Sequence, residues 1–128
     1  MVKYLLLGAG GAVGTICRYL AQLAIFNLTG GVFPWGTLAV NLSGSLIIGF
    51  LWGMHGAELI SPNMRIFLFV GLLGGYTTFS SFSLESLNLL RYGDVKYFFL
   101  NMLASNVLGV ALAFGGFMLS KSFFKTIF

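Results

Sequence analysis

The chain has 128 residues, 58% of them hydrophobic and only 8% charged, whereas an ordinary soluble domain carries roughly 25% charge. The formal charge of +4 comes from seven Lys and Arg residues scattered along the chain, which argues against nucleic acid as a partner and for charges flanking a lipid bilayer. The single cysteine, Cys17, lies within the first apolar segment, so no intrachain disulfide is possible and the residue reads as a small packing group.

Charge-free stretches run over Tyr19–Ala57, Ile66–Leu84 and Tyr97–Ser120. With Tyr4–Cys17 continued past Arg18, they hold four spans of the roughly 20 residues that a bilayer requires. The expected architecture is an all-α membrane protein, one integral membrane domain over 1–128 with spans at about 4–26, 36–54, 64–90 and 95–119. Lys3 before Leu5-Leu6-Leu7 imitates a signal peptide, but the apolar stretch runs on to Phe26 with Arg18 inside it and is read as a retained helix. Asn27-Leu28-Thr29-Gly30-Gly31 ends that helix with turn formers. The second span, preceded by Pro34, begins near Gly36 and lasts to about Met54, with His55 and Glu58 marking the return to water. Ser61-Pro62 is a helix start, Ser61 capping and Pro62 in the first turn. Arg91, Asp94 and Lys96 mark the next interface, where Asp94 is placed to cap a fourth helix ending before Lys121.

Glycine accounts for 18 residues, and pairs recur four apart: Gly10 and Gly14, Gly49 and Gly53, Gly71 and Gly75. Small residues at this spacing let helix backbones touch, which is how membrane helices associate where lipid offers no hydrophobic drive. The basic residues give a weak orientation signal. Lys3, Arg65, Lys121 and Lys125 fall on the side of the termini, and Arg91 and Lys96 on the other, with Arg18 in the half of the first helix nearest it. Such a chain could insert both ways and pair as an antiparallel dimer, or hold one orientation with its termini inside.

The third span carries Gly74-Gly75-Tyr76-Thr77-Thr78-Phe79-Ser80-Ser81-Phe82-Ser83. A break near Gly74–Thr78 exposes backbone groups that hydrocarbon cannot satisfy, each at a cost of several kcal/mol. Neighbouring hydroxyls or a bound cation such as Na⁺ are alternative remedies. Phe79 and Phe82 lie three apart on one face, either as a packed stripe or with electropositive ring edges offered to an anion. Thr37, Asn41 and Ser45 align every four residues along the second span. The Asn41 amide can serve an anion or glue two helices together. Asn101 and Ser105, with Asn106 adjacent, draw a similar line in the fourth. Arg18 and Glu85 are ionisable groups inside spans, functional suspects and possible partners for each other. Neither a metal-ligand cluster, a catalytic triad nor a phosphate loop is visible, so an enzyme is not expected.

Taken in order, Gly10-Gly11-Ala12-Val13-Gly14-Thr15-Ile16-Cys17-Arg18-Tyr19, Gly36-Thr37-Leu38-Ala39-Val40-Asn41-Leu42-Ser43-Gly44 and the third-span motif resemble the Fluc (CrcB) family of fluoride channels through all four spans. The resemblance implies an antiparallel, dual-topology homodimer in a bacterial or archaeal cell membrane, passively exporting fluoride. It implies that Phe79 and Phe82 contact fluoride, with Asn41, Thr37, Ser81 and Ser105 along the pore. Arg18 would stand toward an aqueous vestibule, and Gly74 and Thr77 would offer backbone carbonyls to a structural, untransported Na⁺ at the dimer centre. Asn101 and Gly109 depart from the family pattern, where some members carry tyrosine and serine. A small multidrug-type proton-coupled cation exporter is the rival expectation. It would want an acidic residue in the first helix, and this one has none. A structural subunit without transport would leave a broken third span without purpose.

Overall fold

In hydrocarbon each backbone N–H and C=O must be bonded within its own segment, so apolar stretches of this length fold as helices. A computed structural model describes residues 1–55 and 59–125, without the side chains of His55 and Lys125. The expected return to water at His55 and Glu58, and the charge at Lys125, therefore lie outside the described residues. Among the described residues there is no strand. Four helices there are long and apolar enough to cross a membrane: Val2–Thr29, Trp35–Met54, Pro62–Arg91 and Val95–Phe124.

Helix α1 (Val2–Thr29) runs past Phe26 to Thr29, whose hydroxyl donates to Ile25 O at 2.8 Å. It stops at Gly30, whose φ of 57° suits glycine and whose N–H donates to Phe26 O at 2.9 Å. Phe33 is buried in the following loop, its ring 4.5 Å from Trp35 and 5.8 Å from Tyr97, which ties the start of α2 (Trp35–His55) to the start of the last span. Helix α3 is the continuous run 62–76, made of Pro62–Arg65, a π-helical stretch Ile66–Leu73, and Gly74–Tyr76. Its N-terminus is capped as the sequence suggests: Met64 N–H donates to Ser61 Oγ at 3.3 Å, with Pro62 in the first turn. Helix α4 (Phe79–Arg91) completes the third span. Helix α5, the run 95–125, carries a second π-helical stretch at Ala104–Leu108. Asp94 occupies the N-cap position of α5 but makes no side-chain capping bond. The start is held by backbone instead, Asp94 N–H donating to Leu89 O at 2.8 Å.

Helix α1 packs mainly on α3, and α2 on the second half of α5. Glycines make both contacts possible. A Cβ at Gly10 would stand 2.6 Å from Phe67 O, one at Gly75 2.6 Å from Gly11 O, and one at Gly71 3.0 Å from Gly10 Cα. Across the other pair, Gly49 lies against the backbone of Ala113, Gly116 against Leu46, and Gly53 against Ser120. The glycine pairs read from the sequence thus sit at helix crossings where backbones touch.

Substituting Gly49 and Gly8 by alanine separates packing from helix propensity, since alanine favours a helix by about 1 kcal/mol at either site. Nothing lies within 4 Å of a Cβ at Gly8, whereas Ala113 backbone blocks one at Gly49. Gly49→Ala is expected to lower the thermal unfolding midpoint in detergent, an overpacking penalty of about 1–3 kcal/mol, while Gly8→Ala leaves it level or higher. Equal behaviour of the two would show that the crossing is loose.

Candidate functional site

The helix of the third span gives way at two residues, Thr77 (φ −79°, ψ 154°) and Thr78 (φ −148°, ψ 116°), both extended. Gly74 and Gly75, at the start of the expected break, remain helical. Gly75 is required by its contact with Gly11, while a Cβ at Gly74 would find only Phe69 O, 3.8 Å away. Thr77 keeps a bond to the turn before it, its N–H and its hydroxyl both donating to Leu73 O at 2.9 Å.

Thr78 finds its partner on another helix. Its N–H, which a continuous helix would give to Gly74 O, donates to Asn41 Oδ1 at 2.8 Å, and Asn41 Nδ2 donates to Thr78 O at 3.0 Å. The amide of Asn41 so pairs with one peptide residue as a neighbouring strand would. One Nδ2 proton of Asn41 remains for another acceptor. Gly44, one turn on in α2, gives the room: the methyl of Thr77 fills the place a Cβ there would take. The Thr78 hydroxyl caps α4, accepting from Ser81 N–H at 3.2 Å and donating to Ser81 Oγ at 3.0 Å. Ser43 and Tyr76 share a hydroxyl contact at 3.0 Å beside the same turn.

A cavity of about 350 Å³ opens beside this junction, lined among others by Asn41, Ser45, Gly74, Thr77, Thr78, Phe79, Phe82, Ser105 and Asn106. Phe82 is 5% exposed and Phe79 76% exposed, with ring centroids 5.5 Å apart at an interplanar angle of 43°, so the pair runs from the interior of the chain to its surface. Ser105 reaches the cavity from the π-helical stretch of α5, where the extra residue per turn re-aims side chains. Its hydroxyl leans on Asn101 Oδ1 at 3.4 Å. Asn101 is 1% exposed and donates to Ser86 Oγ at 3.1 Å, which makes it interhelical glue. Ser45 donates to Asn41 O at 2.8 Å, within its own helix.

The remaining candidates lie elsewhere. Thr37 and Ser81 line a second cavity of about 360 Å³ together with Gln22 and Glu85. There Thr37 Oγ1 donates to Glu85 Oε1 at 2.6 Å and accepts from Gln22 Nε2 at 2.9 Å. Glu85 therefore turns to Thr37 and not to Arg18. Arg18 is half-buried and lines neither cavity. Sequence reasoning passed over Gln22, although an amide in an apolar helix is the same signal that singled out Asn41. It also passed over Thr78 and Gly44, whose roles depend on a contact between spans that no local pattern shows.

The family model for CrcB-like protein, Camphor Resistance (CrcB), matches residues 5–117. Similar proteins include the fluoride-specific ion channel FluC of Parabacteroides distasonis, 44% identical over 127 residues and covering 99% of both chains. The fluoride-specific ion channel FluC of Rhizobium meliloti is 48% identical over 124 residues, 95% of this chain and 98% of its own. That of Salinibacter ruber is 49% identical over 113 residues, 88% and 84% respectively. With a family match across all four spans, and relatives of this identity over nearly the whole length, the chain belongs to the CrcB family of multi-pass membrane proteins.

Proposed function

We propose that this chain forms a fluoride-selective channel through which the anion leaves a cell down its electrochemical gradient. The observation that carries this reading is the cavity lined by Asn41 and the Phe79–Phe82 pair beside an interrupted span. It is supported by relatives that bear the name fluoride-specific ion channel. Hydrogen fluoride crosses a bilayer as a neutral acid and dissociates inside, so a passive exit for the trapped anion lowers its toxicity.

Fluoride is small and holds its water strongly, so a selective path replaces several water hydrogens at once. Asn41 offers an amide N–H and Phe79 and Phe82 their electropositive edges, while Ser105 and Ser45 would add hydroxyls on release from Asn101 Oδ1 and Asn41 O; none is a full positive charge that would hold the anion too long. Thr37 and Ser81 extend the polar lining into the second cavity. Arg18, farther along α1, would draw anions toward the mouth.

The working unit is an antiparallel dual-topology homodimer, in keeping with the weak charge bias of the sequence. The break in the third span is then a functional device. Because the Thr78 N–H is taken by Asn41, the carbonyl of Gly74 loses the donor a helix would supply, and the extended Thr77 directs its own carbonyl away from the helix axis. Gly74 and Thr77 both line the cavity, and Gly74 stands open. Such carbonyls suit a hard, weakly charged cation. Gly74 and Thr77 of two chains would hold a structural Na⁺, which would take up the lone pairs of the freed carbonyls and would not itself be transported.

Purified protein in fluoride-loaded liposomes, with the membrane potential clamped, is expected to release fluoride to an external electrode while chloride is retained. An absence of efflux, or chloride leaving as fast, would sink the channel reading. Phe82→Ile removes an aromatic edge worth about 1 kcal/mol and so should cut fluoride flux about fivefold with the oligomeric state unchanged. Flux equal to the parent protein would take Phe82 off the ion's path. Replacing sodium by a large organic cation on both sides should depress conduction, and an unaltered rate after prolonged exchange would count against the Na⁺ site.

A further inference from the structure

Apart from the junction at Thr78, one chain of hydrogen bonds ties three helices together. Gln22 of α1 donates from Nε2 to Thr37 Oγ1 of α2 at 2.9 Å, and Thr37 donates to Glu85 Oε1 of α4 at 2.6 Å. With Glu85 ionised, its direction is fixed: a carboxylate only accepts, so the Glu85 contact uses the single proton of the Thr37 hydroxyl, and whatever faces Thr37 from the other side has to be a donor. That fixes the Gln22 amide with its NH₂ toward Thr37, since the reverse orientation would set oxygen against oxygen.

Two further features make the arrangement specific. Gly36 lets α1 and α2 approach at this point: a Cβ on it would stand 3.2 Å from Gln22 Cα and 3.2 Å from Gln22 O. Glu85 is on the wall common to the second cavity and a third of about 300 Å³ lined also by Asn88 and Tyr92. Its Oε2 is buried with no hydrogen-bond partner, so among the described residues Thr37 is the donor on which the carboxylate's position rests.

We propose that Gln22 is a positioning residue: by filling an acceptor site of Thr37 it keeps the hydroxyl proton on Glu85 and so fixes that carboxylate on the wall between two cavities. The consequence rests on the channel reading. An anion entering the Ser81 side meets a Thr37 hydroxyl whose proton is already given away, and Gln22 is what stops that hydroxyl from turning back toward α1.

Infrared spectroscopy of the full chain in liposomes tests this without reading transport. The sequence has only three Asp and Glu residues, so the Glu85 carboxylate band is assignable by its loss in Glu85→Gln. Thr37→Val and Gln22→Met should each shift that band in the same direction, Thr37→Ser should leave it in place, and Gln22→Met should add nothing once Thr37 is valine. A Gln22→Met band coinciding with the parent, or a further shift in the Thr37→Val background, would overturn the proposal. If Gln22→Met does not fold, Gly36→Ala, which pushes α1 away at Gln22, should move the band in the same sense, and an unmoved band there is equally fatal. Absence of fluoride efflux in the parent protein would defeat the channel reading alone and leave the band shifts standing.

Discussion

The rest of the structure depends on the pairing of the Asn41 amide with the backbone of Thr78. An extended residue in the middle of a membrane span presents an N–H and a C=O that neither lipid nor its own helix can satisfy, and each would cost several kcal/mol if left bare. Asn41 answers both with one side chain, at 2.8 and 3.0 Å. Because the bond is made sideways to α2, the chain leaves α3 and re-enters a helix as α4 under a fresh cap, the Thr78 hydroxyl receiving Ser81 N–H. The directions of Phe79 and Phe82, in the first turn of α4, follow from where that cap is held. The residue proposed as an anion donor thus also holds the walls of the cavity it lines.

For an amide of this length to reach across, α2 and the third span have to lie close, and the glycines set that distance. Gly44 accepts the Thr77 methyl on the α2 side, while Gly75 against Gly11 and Gly14 against Leu72 hold the end of α3 down on α1. The junction is therefore gripped from two helices at once. On the far side, Gly49, Gly53 and Gly116 hold α2 to α5, which brings Ser105 to the same cavity. Tight packing and the site are one arrangement, since a helix held a little farther out would lose the Asn41 bonds before it lost its place in the bundle.

Much of this is legible in the residues because a bilayer leaves few solutions. Four apolar runs give four helices, Ser61-Pro62 marks a start with its cap, and glycines four apart mark crossings. Asp94 shows where local signals end, since a capping residue in the right place makes no capping bond when backbone from Leu89 already serves the turn. Within the expected break near Gly74–Thr78, the two glycines stay helical and the extended residues are Thr77 and Thr78. Glycine's freedom is spent there on close approach to Gly11, and what decides the conformation is a partner on α2, separated from Thr78 by 37 positions in the chain. The split of Thr37 and Ser81 from Asn41 and Phe82 has the same cause. Spacing along α2 aligns Thr37 with Asn41, but Gln22 and Glu85 arrive from other helices and enclose a cavity of their own.

A count of protons at the Asn41 cavity shows what one chain can and cannot supply. Ser45 gives its hydroxyl proton to Asn41 O, Thr77 to Leu73 O and Ser105 to Asn101 Oδ1, and Asn41 and Asn106 each give one amide proton to a carbonyl. Among these side chains, what is left uncommitted is one N–H on each of the two amides, together with the ring edges of Phe79 and Phe82, and the first-turn N–H of Phe79 adds a backbone donor. A small anion stripped of water needs more donors than that. On the proposed channel reading the deficit would be met either by hydroxyls turning away from their own helices, which the long 3.4 Å contact of Ser105 permits most readily, or by groups from outside the chain. Phe79 lines the cavity and is 76% exposed, so its ring is accessible from outside the chain. The Asn41 Nδ2 proton and the Thr77 hydroxyl proton serve the break itself, and these two are no longer free for any guest in the cavity.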